Sequence, residues 1–325
     1  MSWIITGEQV NPAGDAQITY GITSTGGVFN LRSTGTVDYE VEWGDGTVER
    51  STSNTLAHTY AAGSYVLKIR TAQQYVPFFN NSTDEDQITS VALVSDLDVG
   101  SSLTSAWYGA NNMTEFNAAF GVTTGVTEFQ QTWRSCSNLT TFPLIDTSSG
   151  TNFYAAWFYC TGLTSFPLID VSSGTDLSFA WEGCTGLTSF PVLNTSSGTN
   201  FSGAWHSCTG LTSFPSIDIS SGTNFIFAWY NCNQLTDFPA NFFDSWTGAP
   251  GNNCFLGAWD LCTSLTATSV ENILNSIDTS LQSAPASGVD ITIDYDGVGT
   301  PNISTAVSNL KSRGWTITLN GVLQP

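Results

Sequence analysis

The chain has 325 residues, of which 41% are apolar and only 10% charged. Seven basic residues face twenty-seven acidic ones, a net charge of −20, which repels phosphate backbones and anionic lipid and so excludes nucleic acid and membrane surfaces from the expected partners. No run approaches the roughly 18 apolar residues of a membrane-crossing helix, so no membrane insertion is expected, and a polar surface built mainly from Ser, Thr, Asn and Gly favours strands and turns.

The opening Met1-Ser-Trp-Ile-Ile-Thr-Gly-Glu lacks a basic region followed by a long apolar one, so no secretory signal is expected. That leaves work inside a cell, or release by a route without a signal, such as a virus particle. Over 1–72 the pattern is one of short alternating strands. Val37, Tyr39, Val41 and Trp43 alternate with polar residues, Asp45-Gly46 supplies a tight turn, and Tyr65, Leu67 and Ile69 alternate again. The string Tyr39-Glu-Val-Glu-Trp-Gly-Asp-Gly-Thr47, with His58-Thr-Tyr60 and Gly63-Ser-Tyr65, resembles the polycystic-kidney-disease (PKD) type of immunoglobulin-like domain. The resemblance implies an Ig-like β-sandwich over 1–72 that acts as a spacer or mounting module. Residues 73–87, with Asn80-Asn-Ser-Thr-Asp-Glu-Asp86, read as an exposed linker.

From residue 88 the chain repeats. Units start at Ile88, Met113, Leu139, Leu163, Leu187, Leu211 and Leu235, in steps of 25, 26, 24, 24, 24 and 24 residues, and a step of 30 leads to a half-unit at Leu265. Each unit opens on a β-like stretch such as Leu163-Thr-Ser-Phe-Pro, where Pro stops further pairing. A Ser-Ser-Gly-Thr-Asn run then offers turn residues and N-cap oxygens. Next, Phe153, Ala156, Trp157 and Cys160 fall at i, i+3, i+4 and i+7, the spacing of one helix face, and the same face recurs at Leu177, Phe201, Phe225 and Phe255 with their Ala, Trp and Cys. One unit cannot bury that face alone, but stacked units can. Full burial of one large apolar side chain stabilises by roughly 2–3 kcal/mol, so a ladder of Trp residues suffices to hold the stack.

Beyond Leu265 the spacing breaks. Helical periodicity over 269–281, a strand at 291–295, a helix over 303–310 and a strand at 315–319 read as a C-terminal α/β cap closing the open end. The unit Leu-Thr-Ser-Phe-Pro…Ala-Trp-x-x-Cys resembles the leucine-rich repeats of the BspA-like kind, found in bacterial surface proteins and bacteriophage tail or fibre proteins, and the resemblance spans about 88–325. The expected architecture is therefore β-rich and multi-domain: an N-terminal Ig-like β-sandwich (1–72), a linker (73–87), a leucine-rich-repeat-type β/α solenoid of about seven 24-residue units (88–264) and a C-terminal α/β capping region (265–325).

Catalytic and metal chemistry find little footing. Cys136, Cys160, Cys184, Cys208, Cys232 and Cys262 occupy one slot beside Trp and read as small apolar side chains, while Cys254 is off the register. No CxxC pair is present. The two histidines, His58 and His206, assemble no nucleophile–base–orienter set, and the carboxylates are scattered rather than paired for sugar hydrolysis. Asp294-Tyr-Asp296-Gly297 resembles the start of a calcium loop without its later ligands, and Glu42, Asp45 and Glu49 read as solvated surface acids. The expectation is a protein that is not an enzyme, with no cofactor and no metal.

Comparison of the copies within the chain locates where recognition can sit. Trp and Cys hardly change, whereas the slot after Trp runs Arg134, Phe158, Glu182, His206, Tyr230, Asp260 and the next runs Ser135, Tyr159, Gly183, Ser207, Asn231, Leu261. Unconstrained surface drifts in this way. A recognition strip built on Tyr154, Phe158, Tyr159, His206 and Tyr230 does so too, and its aromatic rings suit sugar rings or a protein partner. The sheet face, with Thr164-Ser165 and Thr188-Ser189, is a competing strip. What the resemblance and the missing signal imply is a bacteriophage virion structural protein, a tail-fibre or receptor-binding adhesin for a host-surface glycan or protein, attached to other virion structural proteins through its N-terminal domain. The alternatives are a bacterial surface adhesin of the same repeat family, a capsid decoration protein and a polysaccharide-acting enzyme.

Overall fold

The computed structural model describes residues 16–34, 38–71, 75–79, 84–93, 97–119, 121–288 and 290–325. The opening octapeptide, Val37 and residues 80–83 of the expected linker lie outside them.

The N-terminal strands are β1 (Ala16–Thr34), β2 (Tyr39–Glu42), β3 (Val48–Ser51), β4 (Thr55–Thr71), β5 (Val76–Pro77), β6 (Ile88–Leu93) and β7 (Glu115–Ala118). They join in one open sheet ordered β3-β2-β4-β1-β6-β7, with β5 on β1. The long antiparallel pair β1–β4 runs in register from Ala16↔Thr71 to Arg32↔Thr55. The alternation expected at Tyr39, Val41, Trp43, Leu67 and Ile69 is the buried side of this sheet. β6 pairs antiparallel with β1 and parallel with β7, so pairing runs on from the N-terminal strands into the first repeat units. Tyr75, Phe79 and Asp84, within the stretch expected to be exposed, are buried.

The β2–β3 turn depends on glycine at one position more than at another. Gly44 has φ +84°, and a Cβ there would stand 2.6 Å from the Val66 carbonyl oxygen and 2.9 Å from its nitrogen. Gly46 has φ +96° but open space around it. Gly44→Ala combines left-handed strain with a clash against rigid backbone and is expected to cost about 2–4 kcal/mol, whereas Gly46→Ala carries the conformational term alone, about 1–2 kcal/mol. Denaturant midpoints of the two variants check this, and equal losses would contradict it.

The repeats do not form the expected β/α solenoid. Among the described residues there are two α-helices, α1 (Ala267–Thr279) and α2 (Ser304–Ser312), both after the repeats. Between Ala118 and Ala267 neither strand nor helix occurs among the described residues, only isolated parallel bridges. The two-sheet sandwich is likewise replaced by one open sheet. The helix expectation fails for a backbone reason. Each unit places two residues at positive φ, for example Ala155 (51°) and Tyr159 (58°), then Phe179 (57°) and Gly183 (71°). The N–H groups of Phe153, Ala155, Trp157 and Tyr159 donate to Asp176, Ser178, Ala180 and Glu182 of the following unit at 2.7–2.9 Å. The alternate N–H groups of Ala156, Phe158 and Cys160 donate three residues back in their own unit. No i−4 ladder remains for an α-helix. The Leu-Thr-Ser-Phe-Pro stretch is equally short of a sheet, with Ser213↔Asp237 as its bridge.

What the 24-residue register does organise is packing. Trp107, Trp133, Trp157, Trp181, Trp205, Trp229 and Trp259 are fully buried and stack in sequence, centroids 5.3–6.0 Å apart with planes within 20° of parallel. Phe142, Phe166, Phe190, Phe214 and Phe238 form a second column, edge-on to the indoles at 4.8–5.9 Å. The seven indole N–H groups have no oxygen or nitrogen acceptor, and edge-on phenyl rings, that of Phe116 for Trp107 and those of this column for the others, are the electron-rich groups beside the indoles.

At the C-terminal end, β8 (Asp290–Ile293), β9 (Thr316–Leu319) and β10 (Val322–Leu323) make a three-stranded sheet. With α1 and α2 it provides helices and strands close to the positions expected from the sequence. α1 is N-capped by Thr266, whose side chain accepts from the Ser269 N–H, and it buries Val270, Ile273, Leu274 and Ile277. Trp259 bridges Ile293, and Trp315 packs on Phe255 at 5.7 Å, so this end is tied to the last Trp-bearing turn.

Candidate functional site

The variable slots of the repeat form two neighbouring columns on one side of the Trp stack, because units overlie one another in register. Arg134, Phe158, Glu182, His206 and Tyr230 each follow a buried Trp and are each half-buried. Tyr159 stands one slot further out and is 46% exposed. Backbone hydrogen bonds fix the rows: Tyr159 N–H to Glu182 at 2.7 Å, Gly183 N–H to His206 at 2.8 Å and Ser207 N–H to Tyr230 at 2.7 Å.

Side chains continue this stacking. The Arg134 guanidinium lies 3.9 Å from the Phe158 ring centre and 5.3 Å from that of Tyr108. Phe158 meets Tyr159 at 4.6 Å. His206 stacks on Tyr230 at 4.9 Å, with planes 9° apart. Arg134 is, among the described residues, the arginine without a carboxylate partner: Arg32, Arg50, Arg70 and Arg313 all form ion pairs. Its attraction is spent on aromatic faces instead.

Glu182 sits in the middle of this arrangement with its side chain 13% exposed and its Oε1 3.4 Å from His206 Nδ1. Burial pushes its carboxyl up to about 7, with the Arg134 charge opposing. Burial also pushes His206 down. Both shifts favour the neutral forms, so desolvation outweighs the attraction an ion pair would bring. His206 Nδ1 makes no hydrogen bond.

The five residues singled out from the sequence are thus distributed along the columns. Phe158, Tyr159, His206 and Tyr230 lie along the stack just described, and Tyr154 stands apart from it, half-buried and edge-on to Phe179 at 5.9 Å. Sequence reasoning passed over Phe179 and Phe227. Both occupy a left-handed slot and lie over glycines of the next unit: a Cβ on Gly203 would be 2.4 Å from Phe179, and one on Gly257 2.5 Å from Phe227. Phe227 is also edge-on to His206 and Tyr230. The legible signal was the alternation of Phe and Gly at one repeat slot.

Other candidates are absorbed by structure. The Thr hydroxyls of the competing strip are turned to neighbours: Thr164, Thr212 and Thr236 donate to carbonyls of Thr140, Thr188 and Thr212. His58 stacks on Trp43 at 4.5 Å and meets Asp45 at 2.8 Å. Hydrogen bonds from Thr47, with a lesser one from His58, hold the Asp45 carboxyl down at about 2. Glu42, Asp45 and Glu49 are therefore not simply solvated, since Glu42 pairs with Arg70 and Glu49 accepts from the Trp43 indole. Asp294 and Asp296 accept the backbone N–H of Leu261 and Val298. The six cysteines of the Trp slot are free and buried, each donating its thiol to the carbonyl of the preceding unit's Trp. Burial raises every one of their pKa values, which keeps them thiols. Among the described residues no group of three or more His, Cys, Asp or Glu side chains is placed to hold a metal ion, and no helix is long and apolar enough to cross a membrane. Compared with family models and with curated proteins, the chain matches none.

Proposed function

We propose that this chain is a non-catalytic binding protein, a virion adhesin that recognises a host-surface glycan or protein through the column bearing Phe158, Tyr159, His206 and Tyr230, with Tyr154 beside it. One observation carries the reading. The buried Trp of every unit is held constant and Cys follows it three residues on in all but the first, where Ala110 stands, while the partly exposed residue after Trp changes in charge, size and hydrogen-bonding capacity from copy to copy. A stack of identical scaffolds carrying unlike side chains in one line is a surface on which recognition can be varied without loss of the core. The N-terminal sheet serves as the mount to other virion proteins.

Labelled full-length chain is expected to bind intact bacterial cells saturably. Replacing Phe158, Tyr159 and Tyr230 together by Ala is expected to weaken binding about tenfold or more. Absence of saturable binding to any cell type, with the chain present in purified particles, would favour a capsid decoration protein. Absence from particles, with binding retained, would favour a bacterial surface adhesin.

A further inference from the structure

Resting on that reading of the column, we propose that Tyr159, Glu182 and His206 form a saccharide subsite, in which the Tyr159 ring takes the C–H face of a neutral pyranose and the two polar groups take its hydroxyls. Tyr159 is the most exposed aromatic ring of the column, at 46%. It is also supported from beneath. Gly183 of the next unit lies under the ring, where a Cβ would come within 2.9–3.1 Å of Tyr159 Cδ2, Cε2 and Cγ. A ring laid on bare backbone is pre-positioned, so little rotamer freedom is lost when a ligand stacks on it.

The rim has unused hydrogen-bonding capacity. Glu182 precedes Gly183 and is tied to Tyr159 through the backbone at 2.7 Å. Its carboxyl lies 3.4 Å from His206 Nδ1 without a hydrogen bond forming, and that nitrogen is buried with no partner. Nδ1 itself is closed to solvent, but the Glu182 and His206 side chains remain 13% and 26% exposed, and it is at this exposed part that a ligand hydroxyl can pair with the two polar groups. The carboxyl is partly protonated at neutral pH and can donate as well as accept. The charge of −20 selects the class of sugar, because phosphorylated or uronic-acid glycans are repelled. His206 is stacked on Tyr230, and the Arg134 guanidinium lies over the Phe158 ring.

Saturation-transfer NMR on the full chain, with the methyl glycosides of glucose, galactose, mannose and N-acetylglucosamine as probes, tests the subsite. At least one glycoside is expected to receive saturation, strongest on the ring protons of one face. Tyr159→Ser is expected to weaken that glycoside about tenfold. This variant is structurally safe, because Ser135 and Ser207 hold the same left-handed backbone slot at φ 62° and 58°. Glu182→Gln, which keeps shape but cannot ionise, is expected to remove the fall in binding as pH rises above 7, and a fall of the same size in this variant counts against the role of the carboxyl. No transfer to any of the four, or transfer unchanged in Tyr159→Ser, overturns the subsite. Cell binding measured on the same two proteins separates the two ideas. Wild-type binding that Tyr159→Ser leaves intact sinks the subsite and leaves the adhesin reading standing, while wild-type protein that binds no cell sinks the adhesin reading whatever the glycosides do.

Discussion

Trp181→Ala is expected to destabilise the protein by about 3–5 kcal/mol, the upper part of the range for large-to-small core changes. Trp181 is fully buried, stacked on Trp157 at 5.6 Å and on Trp205 at 5.8 Å, and edge-on to Phe166 and Phe190 at 5.5 and 4.9 Å. Its removal opens a void in the middle of a column, where both neighbours lose a face. The indole N–H has no oxygen or nitrogen partner, so no hydrogen bond is lost and the whole effect is one of packing and transfer. Backbone bonds from Trp181 to Ala204 and from Trp157 to Ala180 hold the units in register, so the void cannot easily collapse. Urea unfolding of the full chain measures the loss, and a change below about 1 kcal/mol would refute the column as the main source of cohesion. Trp157→Ala and Trp181→Ala combined should cost less than their sum, because the two removals share one interface.

Glu182→Gln is expected to leave stability nearly unchanged near pH 4.5 and to raise it by about 3 kcal/mol at pH 8, at 1.36 kcal/mol per unit of pKa difference. The direction follows from burial, which lifts the folded-state carboxyl from 4.5 to about 7. Below pH 4.5 both states are protonated and the group imposes no penalty. Between 4.5 and about 7 the unfolded chain releases its proton while the folded chain keeps it, so stability falls as pH rises. Above about 7 the penalty is complete. With the side chain only 13% exposed, solvent screens little of this. Arg134 and His206 face the carboxyl in both proteins, so their own titration largely cancels in the difference. Urea midpoints of wild type and variant across pH 4.5–8 check it, and parallel curves would show that the carboxyl is well solvated.

The candidate site was partly legible because variation at one slot of a repeat stands out against constancy at the next. Phe158, Tyr159, His206 and Tyr230 could be named from that contrast alone. Their interplay could not. Glu182 approaches His206 across one 24-residue step, and Phe227 reaches His206 from the following unit. Such contacts depend on how far each unit is displaced from the last. Gly183 is equally silent in sequence, since its role is to receive the ring of Tyr159 from the unit before.

By itself the sequence determined the 24-residue register, the burial of one Trp per unit beside Phe and Cys, the alternating strands around Tyr39 to Trp43, and the helices and strands after Leu265. Each of these follows from side-chain polarity and spacing, which decide what must leave water. Tertiary structure alone decided the backbone path inside the units. The spacing Phe153, Ala156, Trp157, Cys160 states which side chains face the core, but it does not state where the intervening N–H groups donate. With a neighbouring unit at hand, half of them bond across to its carbonyls, two residues per unit turn left-handed, and the helix that an isolated segment would favour gives way to a stack of turns.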